Sequence, residues 1–82
     1  MISRDTEDRL NSRMAASDAR YGPFASTHEA LGVACEEWDE LRAAIHSNDL
    51  EAVRSECLDL AAVLIRLADS LTNPATRNRS IK

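Results

Sequence analysis

The chain has 82 residues, of which 44% are hydrophobic and 29% are charged, and its formal net charge is −4 at pH 7. This length is enough for one domain with a modest core, and the acidic balance argues against nucleic acid or an anionic membrane as the main partner. The sequence has no apolar run near the ~20 residues of a membrane span, and its first residues lack the apolar core of a signal peptide. We therefore expect a single cytoplasmic domain, 1–82, that binds neither nucleic acid nor membrane.

The first predicted helix covers residues 4–20. This segment is polar, with a thin apolar stripe that consists of Leu10, Met14 and Tyr21. Such a narrow stripe predicts a helix that lies across other helices rather than at the centre of the core. Pro23 ends the helix, because proline disfavours the α conformation in the residue before it.

Two longer helices are predicted over residues 27–47 and 49–72, with a single break at 47–49. The predicted fold class is therefore all-α with three helices, of which the second and third form an antiparallel hairpin. Pro74 ends the third helix. Residues 73–82 are predicted to be a short, flexible, basic tail.

Both hairpin helices begin with capping signals. Ser26 and Glu29 have the spacing of a capping box at the start of the second helix. Asn48 and Glu51 repeat this spacing at the start of the third helix. We expect each pair to bind free backbone amides in the first turn of its helix.

Each hairpin helix also has an apolar stripe at helical spacing. The stripe of the second helix consists of Ala30, Leu31, Ala34, Trp38, Leu41 and Ile45, and that of the third of Leu50, Val53, Cys57, Leu60, Ala61, Leu64, Leu67, Ala68 and Leu71. The apolar arc of the third helix is wider than one partner helix covers. We therefore expect a homodimer or homotetramer that completes a four-helix-bundle core, with a monomeric three-helix bundle as the alternative.

The hairpin carries two acidic pairs on matching sides of these stripes. Glu37 and Glu40 lie roughly 70° and 130° from the centre of their stripe, and Glu56 and Asp59 lie at the same offsets on the same rotational side. Antiparallel pairing then brings all four carboxylates to one edge of the hairpin. Close carboxylates repel one another unless a cation lies between them, and an all-oxygen set of ligands suits Mg²⁺, with Mn²⁺ as a substitute.

The motif Glu36-Glu37-x-x-Glu40, followed after fifteen residues by Glu56-x-x-Asp59, resembles the EExxE…ExxD signature of the MazG-like, all-α nucleoside triphosphate pyrophosphohydrolases. The resemblance covers roughly residues 24–71. It implies that Glu37, Glu40, Glu56 and Asp59 bind Mg²⁺. It also implies that Glu36 is an accessory catalytic carboxylate that helps to position the attacking water. It also implies cleavage of a nucleoside triphosphate to the monophosphate and pyrophosphate, usually for nucleotide-pool housecleaning.

Four basic side chains are predicted to bind the substrate. His28 lies in the first turn of the second helix, where anions are favoured, although an ordinary surface histidine is the alternative. Arg66 lies on the carboxylate edge, where its partner is either Glu29 or a substrate phosphate. Arg77 and Arg79 are cations of the basic tail that would reach the triphosphate.

Two other functions compete with this interpretation. Family members usually continue into a further helix, whereas this chain nearly ends after the third. A truncated, catalytically inactive helical oligomerisation or interaction module of the same family is therefore the alternative. A third hypothesis is an acidic hairpin whose glutamates are solvated and which does not respond to metal.

Overall fold

The computed structural model describes residues 1–72, which form three α-helices: α1 (Arg4–Tyr21), α2 (Thr27–Ser47) and α3 (Leu50–Thr72). The prediction of an all-α fold with three helices is confirmed, and this part of the chain contains no strand. No helix within it has the length and apolar character needed to cross a membrane. The predicted tail at 73–82, with Arg77 and Arg79, lies outside the described residues.

Side-chain caps determine where α1 and α2 begin. The Ser3 hydroxyl accepts a hydrogen bond from the amide of Thr6 at 3.1 Å. At the start of α2, the Ser26 hydroxyl accepts from the amide of Glu29 at 3.1 Å, and the Glu29 carboxylate accepts from the amide of Ala25 at 2.9 Å. The predicted capping box is thus formed, with its glutamate reaching the residue before the cap.

The prediction that Asn48 caps the third helix is wrong. Asn48 is the C-cap of α2 and has a left-handed backbone, with φ 61° and ψ 25°. Asparagine adopts this conformation more readily than most residues, so it ends a helix well. Asp49 caps α3 instead, because its carboxylate accepts from the amide of Ala52 at 3.1 Å. The third helix therefore begins at Leu50, one residue later than predicted, and the first helix extends one residue further, to Tyr21.

α3 is the central helix and packs against both α1 and α2. Three ion pairs join α1 to α3: Asp5 with Arg54, Arg13 with Asp59, and Asp18 with Arg66. The partners are 49, 46 and 48 residues apart in the chain. Because this offset is nearly constant, α1 and α3 run parallel, and α2 is antiparallel to both. In the described part of the chain α1 and α2 do not pack directly on each other, so a groove over α3 separates them.

The core consists of two small clusters of buried side chains. Phe24, Ala30 and Val63 join the α1–α2 connection and α2 to α3, whereas Leu10, Leu58 and Ala62 join α1 to α3. Among the described residues no large side chain is completely buried. The folded state of a single chain therefore depends on few apolar contacts, as expected at this size.

The predicted apolar stripe of the second helix is only partly correct. Ala30 and Leu41 are buried, but Leu31, Trp38 and Ile45 are exposed, and 51% of the Trp38 surface is accessible. The residues that α3 buries are likewise shifted, to Leu58, Ala62, Val63 and Ser70. On α3 the sequence pattern missed this shift because α1 packs against the acidic side of that helix and covers apolar residues there.

The rotation leaves apolar side chains exposed on the other side of the hairpin. We call this surface the apolar face, and it consists of Leu31, Trp38 and Ile45 on α2 and Leu50, Cys57, Leu64 and Leu71 on α3. Within each helix these residues are seven positions apart, which is about two turns, so they share one side of the helix. Both members of the hairpin thus contribute to the apolar face.

Leu58→Ala tests the packing of α1 on α3, because Leu58 is 6% exposed and lies in the cluster with Leu10 and Ala62. We expect the free energy of unfolding to fall by about 2–4 kcal/mol, since the truncation leaves a cavity. Urea denaturation measures the change. Ile2→Ala is the control, because Ile2 is 54% exposed and precedes α1. An equal, small effect of both substitutions would contradict this packing.

Candidate metal centre

The acidic edge of the hairpin brings together carboxylates from α2 and α3. One carboxylate oxygen from each of Glu37, Glu56 and Asp59 lies within 4.8 Å of the other two. Glu40 lies close enough for its charge to act on both Glu37 and Glu56. We call these four residues the acid cluster. The structure therefore brings the four predicted acids together, and their role in metal binding stays a prediction.

Local helix geometry explains why the acids meet. Glu37 and Glu40 are three residues apart on α2, as are Glu56 and Asp59 on α3, so each pair lies on one side of its own helix. The tight turn at Asn48 sets the register of the two helices and brings the pairs to the same level. The buried faces of both helices are rotated toward this edge, which partly removes Glu37, Glu56 and Asp59 from water, whereas Glu40 is exposed.

Two oxygens of the acid cluster, Glu37 Oε2 and Glu56 Oε2, are buried and have no hydrogen-bond partner. A buried carboxylate oxygen without a partner costs free energy, so this arrangement disfavours the charged cluster by itself. A divalent cation would give both oxygens a partner. Four carboxylates are hard oxygen ligands of the kind that Mg²⁺ and Mn²⁺ prefer, so the side chains present fit such an ion.

Burial and mutual repulsion change how the acid cluster titrates. Burial, reinforced by the charges of Glu40 and Asp59, raises the pKa of Glu37 to about 7. Burial also raises the pKa of Glu56, with a further contribution from Glu40 and a partial offset from the positive charge of Arg13. Near neutral pH the cluster therefore retains a proton that relieves part of its repulsion.

Arg13 on α1 contributes a positive charge to the acid cluster. Its Nε donates to Asp59 Oδ1 at 2.8 Å, and its Nη2 donates to the Ser55 hydroxyl at 3.0 Å. In the sequence, Arg13 is one of several polar residues of the first helix that could line a nucleotide pocket, and helical spacing does not single it out. One signal was available, because Arg13 follows Leu10 by three residues and therefore lies on the side of α1 that packs against α3.

A groove of about 660 Å³ lies between α1 and α2, with α3 as its floor and the α1–α2 connection at one end. Glu36, Glu37 and Asp59 line the end near the acid cluster. Tyr21 and Phe24 line the end near the connection. The volume lies within the range typical of small-molecule sites, and the groove combines a charged end with an apolar end.

Glu36, the predicted catalytic acid, is exposed and lines this groove. It points away from the contact between α2 and α3, and α1 forms the opposite wall. His28 is also exposed, in the first turn of α2, but it does not contribute to the described lining. The structure thus places Glu36 on the groove that Glu37 and Asp59 also line and leaves His28 at the surface.

Arg66, a predicted substrate ligand, is bound to the chain itself. Its Nε donates to Asp18 Oδ1 at 2.8 Å, its Nη2 donates to the carbonyl of Gly22 at 2.7 Å, and its guanidinium lies 4.7 Å from the centre of the Phe24 ring. Only 8% of the side chain is exposed. These contacts hold the α1–α2 connection against α3 at the apolar end of the groove.

Comparisons of the chain with protein-family models, with curated proteins and with solved structures found no match. The resemblance to the MazG-like family stays a prediction from the acidic motif and its helical setting. The geometry of the acid cluster and the groove does not depend on that resemblance.

In the absence of divalent cations we expect the free energy of unfolding to decrease as the pH rises. The pKa of Glu37 is raised from 4.5 to about 7, so between these values the folded state binds more protons than the unfolded state. This stability is complete below the unfolded pKa and is lost as the pH rises through the folded pKa. Urea denaturation in EDTA at about pH 5 and about pH 8 measures the difference.

Glutamine is neutral and has the shape of glutamate, so glutamine substitutions provide both the test of this titration and its control. Glu37→Gln should reduce the dependence on pH, whereas Glu51→Gln should preserve it, because Glu51 is an exposed acid of α3 outside the cluster. A stability that increases over this interval in wild type would contradict the raised pKa.

Proposed function

We propose that this chain is a Mg²⁺-dependent pyrophosphohydrolase of the MazG-like type, which converts a nucleoside triphosphate to the monophosphate and pyrophosphate for nucleotide-pool housecleaning. One observation carries the proposal: oxygens of Glu37, Glu56 and Asp59 lie within 4.8 Å of one another beside a groove of about 660 Å³. A set of carboxylates that fits a divalent cation, next to a cavity of this size, suits metal-assisted hydrolysis of a phosphoanhydride.

The proposed Mg²⁺ ligands are the four residues of the acid cluster. When bound there, Mg²⁺ supplies a Lewis acid that offsets negative charge on the phosphoryl oxygens, and Mn²⁺ has similar ligand preferences. The chain contributes carboxylates whose positions are determined by two packed helices. The buried oxygens of Glu37 and Glu56, which have no partner in the protein, support this assignment.

Glu36 is the proposed general base. Its carboxylate is exposed and lines the groove beside Glu37, so water has access to it. In this role the carboxylate accepts a proton from a water molecule as the water oxygen attacks a phosphorus atom. α1 forms the opposite wall and restricts where that water and the phosphate chain can lie.

The two ends of the groove suit the two ends of a nucleotide. The phosphates belong near the acid cluster, and the Tyr21 and Phe24 rings at the other end offer apolar surface to a planar base. This placement does not support the predicted phosphate contacts of His28, which lies outside the described lining, or of Arg66, which lies at the base end and is bound to Asp18 and Gly22. The contacts of Arg77 and Arg79 with the phosphates stay predictions.

Hydrolysis of a panel of nucleoside triphosphates with Mg²⁺ tests the proposed activity. Wild type should release the monophosphate and pyrophosphate in equal amounts, and EDTA should abolish the release. Glu56→Gln should reduce the rate by on the order of 100-fold or more, because it removes a proposed ligand. Glu51→Gln, an exposed acid on the same helix, should leave the rate unchanged.

The competing functions predict different outcomes. A catalytically inactive interaction module of the same family would hydrolyse nothing in the panel. A hairpin with solvated glutamates would show, in addition, no thermal stabilisation by Mg²⁺, since only ligands that prefer the folded state raise its stability. Hydrolysis that persists at full rate in Glu56→Gln would also contradict the proposed site.

We also propose that the apolar face pairs with that of a second copy, in a homodimer or homotetramer. Its side chains are exposed and recur every seven residues on both hairpin helices. Two hairpins that meet through this face form a four-helix bundle, and a two-fold axis allows the same surface to serve both copies. The small core of a single chain supports this assembly, because a second copy would cover apolar side chains that one chain leaves exposed.

Sedimentation equilibrium tests the assembly. Wild type should be dimeric or tetrameric, whereas Trp38→Lys should dissociate into monomers, because a charge at the centre of an apolar contact is costly to bury. Ala43→Lys is the matched control, since Ala43 is exposed on the same helix and lies about 140° around it from Trp38. A monomeric wild type would contradict the proposed pairing.

A further inference from the structure

Arg13 holds Asp59 and Ser55 at the same time. These two residues are four positions apart on α3, so they lie on one side of that helix, facing α1. The Nε hydrogen bond to Asp59 measures 2.8 Å and the Nη2 hydrogen bond to Ser55 measures 3.0 Å. Arg13 therefore occupies a defined position beside the acid cluster.

Asp59 belongs to this ion pair and to the acid cluster together. One of its oxygens lies within 4.8 Å of oxygens from Glu37 and Glu56. A divalent cation bound between these three residues would repel the guanidinium that Asp59 now holds. It would also withdraw negative charge from Asp59 and thereby weaken the ion pair with Arg13. The cation and Arg13 therefore compete for the same carboxylate.

Arg13 differs from Arg66 in how firmly the protein holds it. The Arg66 side chain is 8% exposed, and its contacts tie the α1–α2 connection to α3. The Arg13 side chain is 28% exposed and its Asp59 partner 37% exposed, so water reaches both members of the pair. Arg13 also lines the groove. Once released from Asp59, it remains attached to the groove wall beside the acid cluster.

We propose that Arg13 is a phosphate-binding residue that Asp59 holds until a divalent cation occupies the acid cluster, after which the guanidinium binds the phosphate chain of the ligand. The proposal rests on the function proposed above and assigns it a residue from α1. A guanidinium is suited to this exchange because it binds carboxylate and phosphate through the same fork of donors. Cation binding and phosphate binding are thereby coupled through one side chain.

Calorimetric titrations of Arg13→Ala with two probes test the exchange. Mg²⁺ alone should bind about fivefold more tightly than to wild type, because the competing charge is gone. Inorganic tripolyphosphate, added at saturating Mg²⁺, should bind about tenfold more weakly, because its guanidinium partner is absent. Changes of opposite sign distinguish the exchange from a purely structural role, which would weaken both.

Three further variants keep the test independent of folding defects. Arg9→Ala is the matched control, because Arg9 lies on the same helix and pairs with Asp5, away from the acid cluster. Ser55→Ala should tighten Mg²⁺ binding in wild type and have no effect in Arg13→Ala, since it acts only through Arg13. Arg13→Lys retains the charge but not the two-point contact, so its Mg²⁺ affinity should lie between those of wild type and Arg13→Ala.

Several results would overturn the proposal. Weaker or unchanged Mg²⁺ binding in Arg13→Ala would show that Arg13 does not compete for Asp59. Tighter Mg²⁺ binding with unchanged tripolyphosphate binding would show a counterion that never reaches phosphate. These outcomes leave the proposed function intact, because wild type still binds Mg²⁺. If neither wild type nor Arg13→Ala binds Mg²⁺, the proposed function and the role of Arg13 both fail.

Discussion

The register between α2 and α3 is the constraint on which the rest of the molecule depends. It is set by a turn of minimal length, in which Asn48 ends one helix in a left-handed conformation and Asp49 caps the next. A slip of one residue would rotate the side chains of one helix by about 100° relative to the other. Such a slip would separate the carboxylates of the acid cluster and bury a different set of apolar residues. The register between α2 and α3 therefore determines both the fold and the candidate site.

The acid cluster weakens the fold that positions it. Burial raises the pKa of Glu37 to about 7, and two buried carboxylate oxygens have no partner in the protein. Free energy is stored in this repulsion, and a cation that binds there releases it. The three ion pairs between α1 and α3 act in the opposite direction, and the Arg13 pair with Asp59 does so within the cluster itself. The side chains that determine this balance of stability are thus the ones proposed to bind the cation.

Much of the fold could be predicted from local patterns in the sequence. The helix bounds follow from Pro23, the Ser26 cap and the break near Asn48, which act over a few residues. The convergence of the four acids also follows from local information, since it needs only the helical period and one tight turn. The prediction failed by a single residue at Asn48, because the residue that ends α2 and the residue that caps α3 are neighbours in the chain.

Other features depend on contacts between distant parts of the chain. The shift of the buried face of α3 accompanies the docking of α1 on that helix, which no pattern within α3 encodes. The partners of Arg13 and Arg66 are 46 and 48 residues away, so helical spacing could not identify them. Sequence periodicity identifies an apolar side of a helix. Which part of that side is covered depends on which other helices pack against it.

The absence of direct packing between α1 and α2 in the described part of the chain has an evolutionary consequence. The carboxylates lie on the hairpin, whereas one wall of the groove belongs to α1. Substitutions at wall positions such as Ala16 and Ser17 can therefore reshape the cavity while the acids keep their places. Under the proposed function, what the groove recognises can therefore change through α1 while the proposed cation ligands stay in place on α2 and α3.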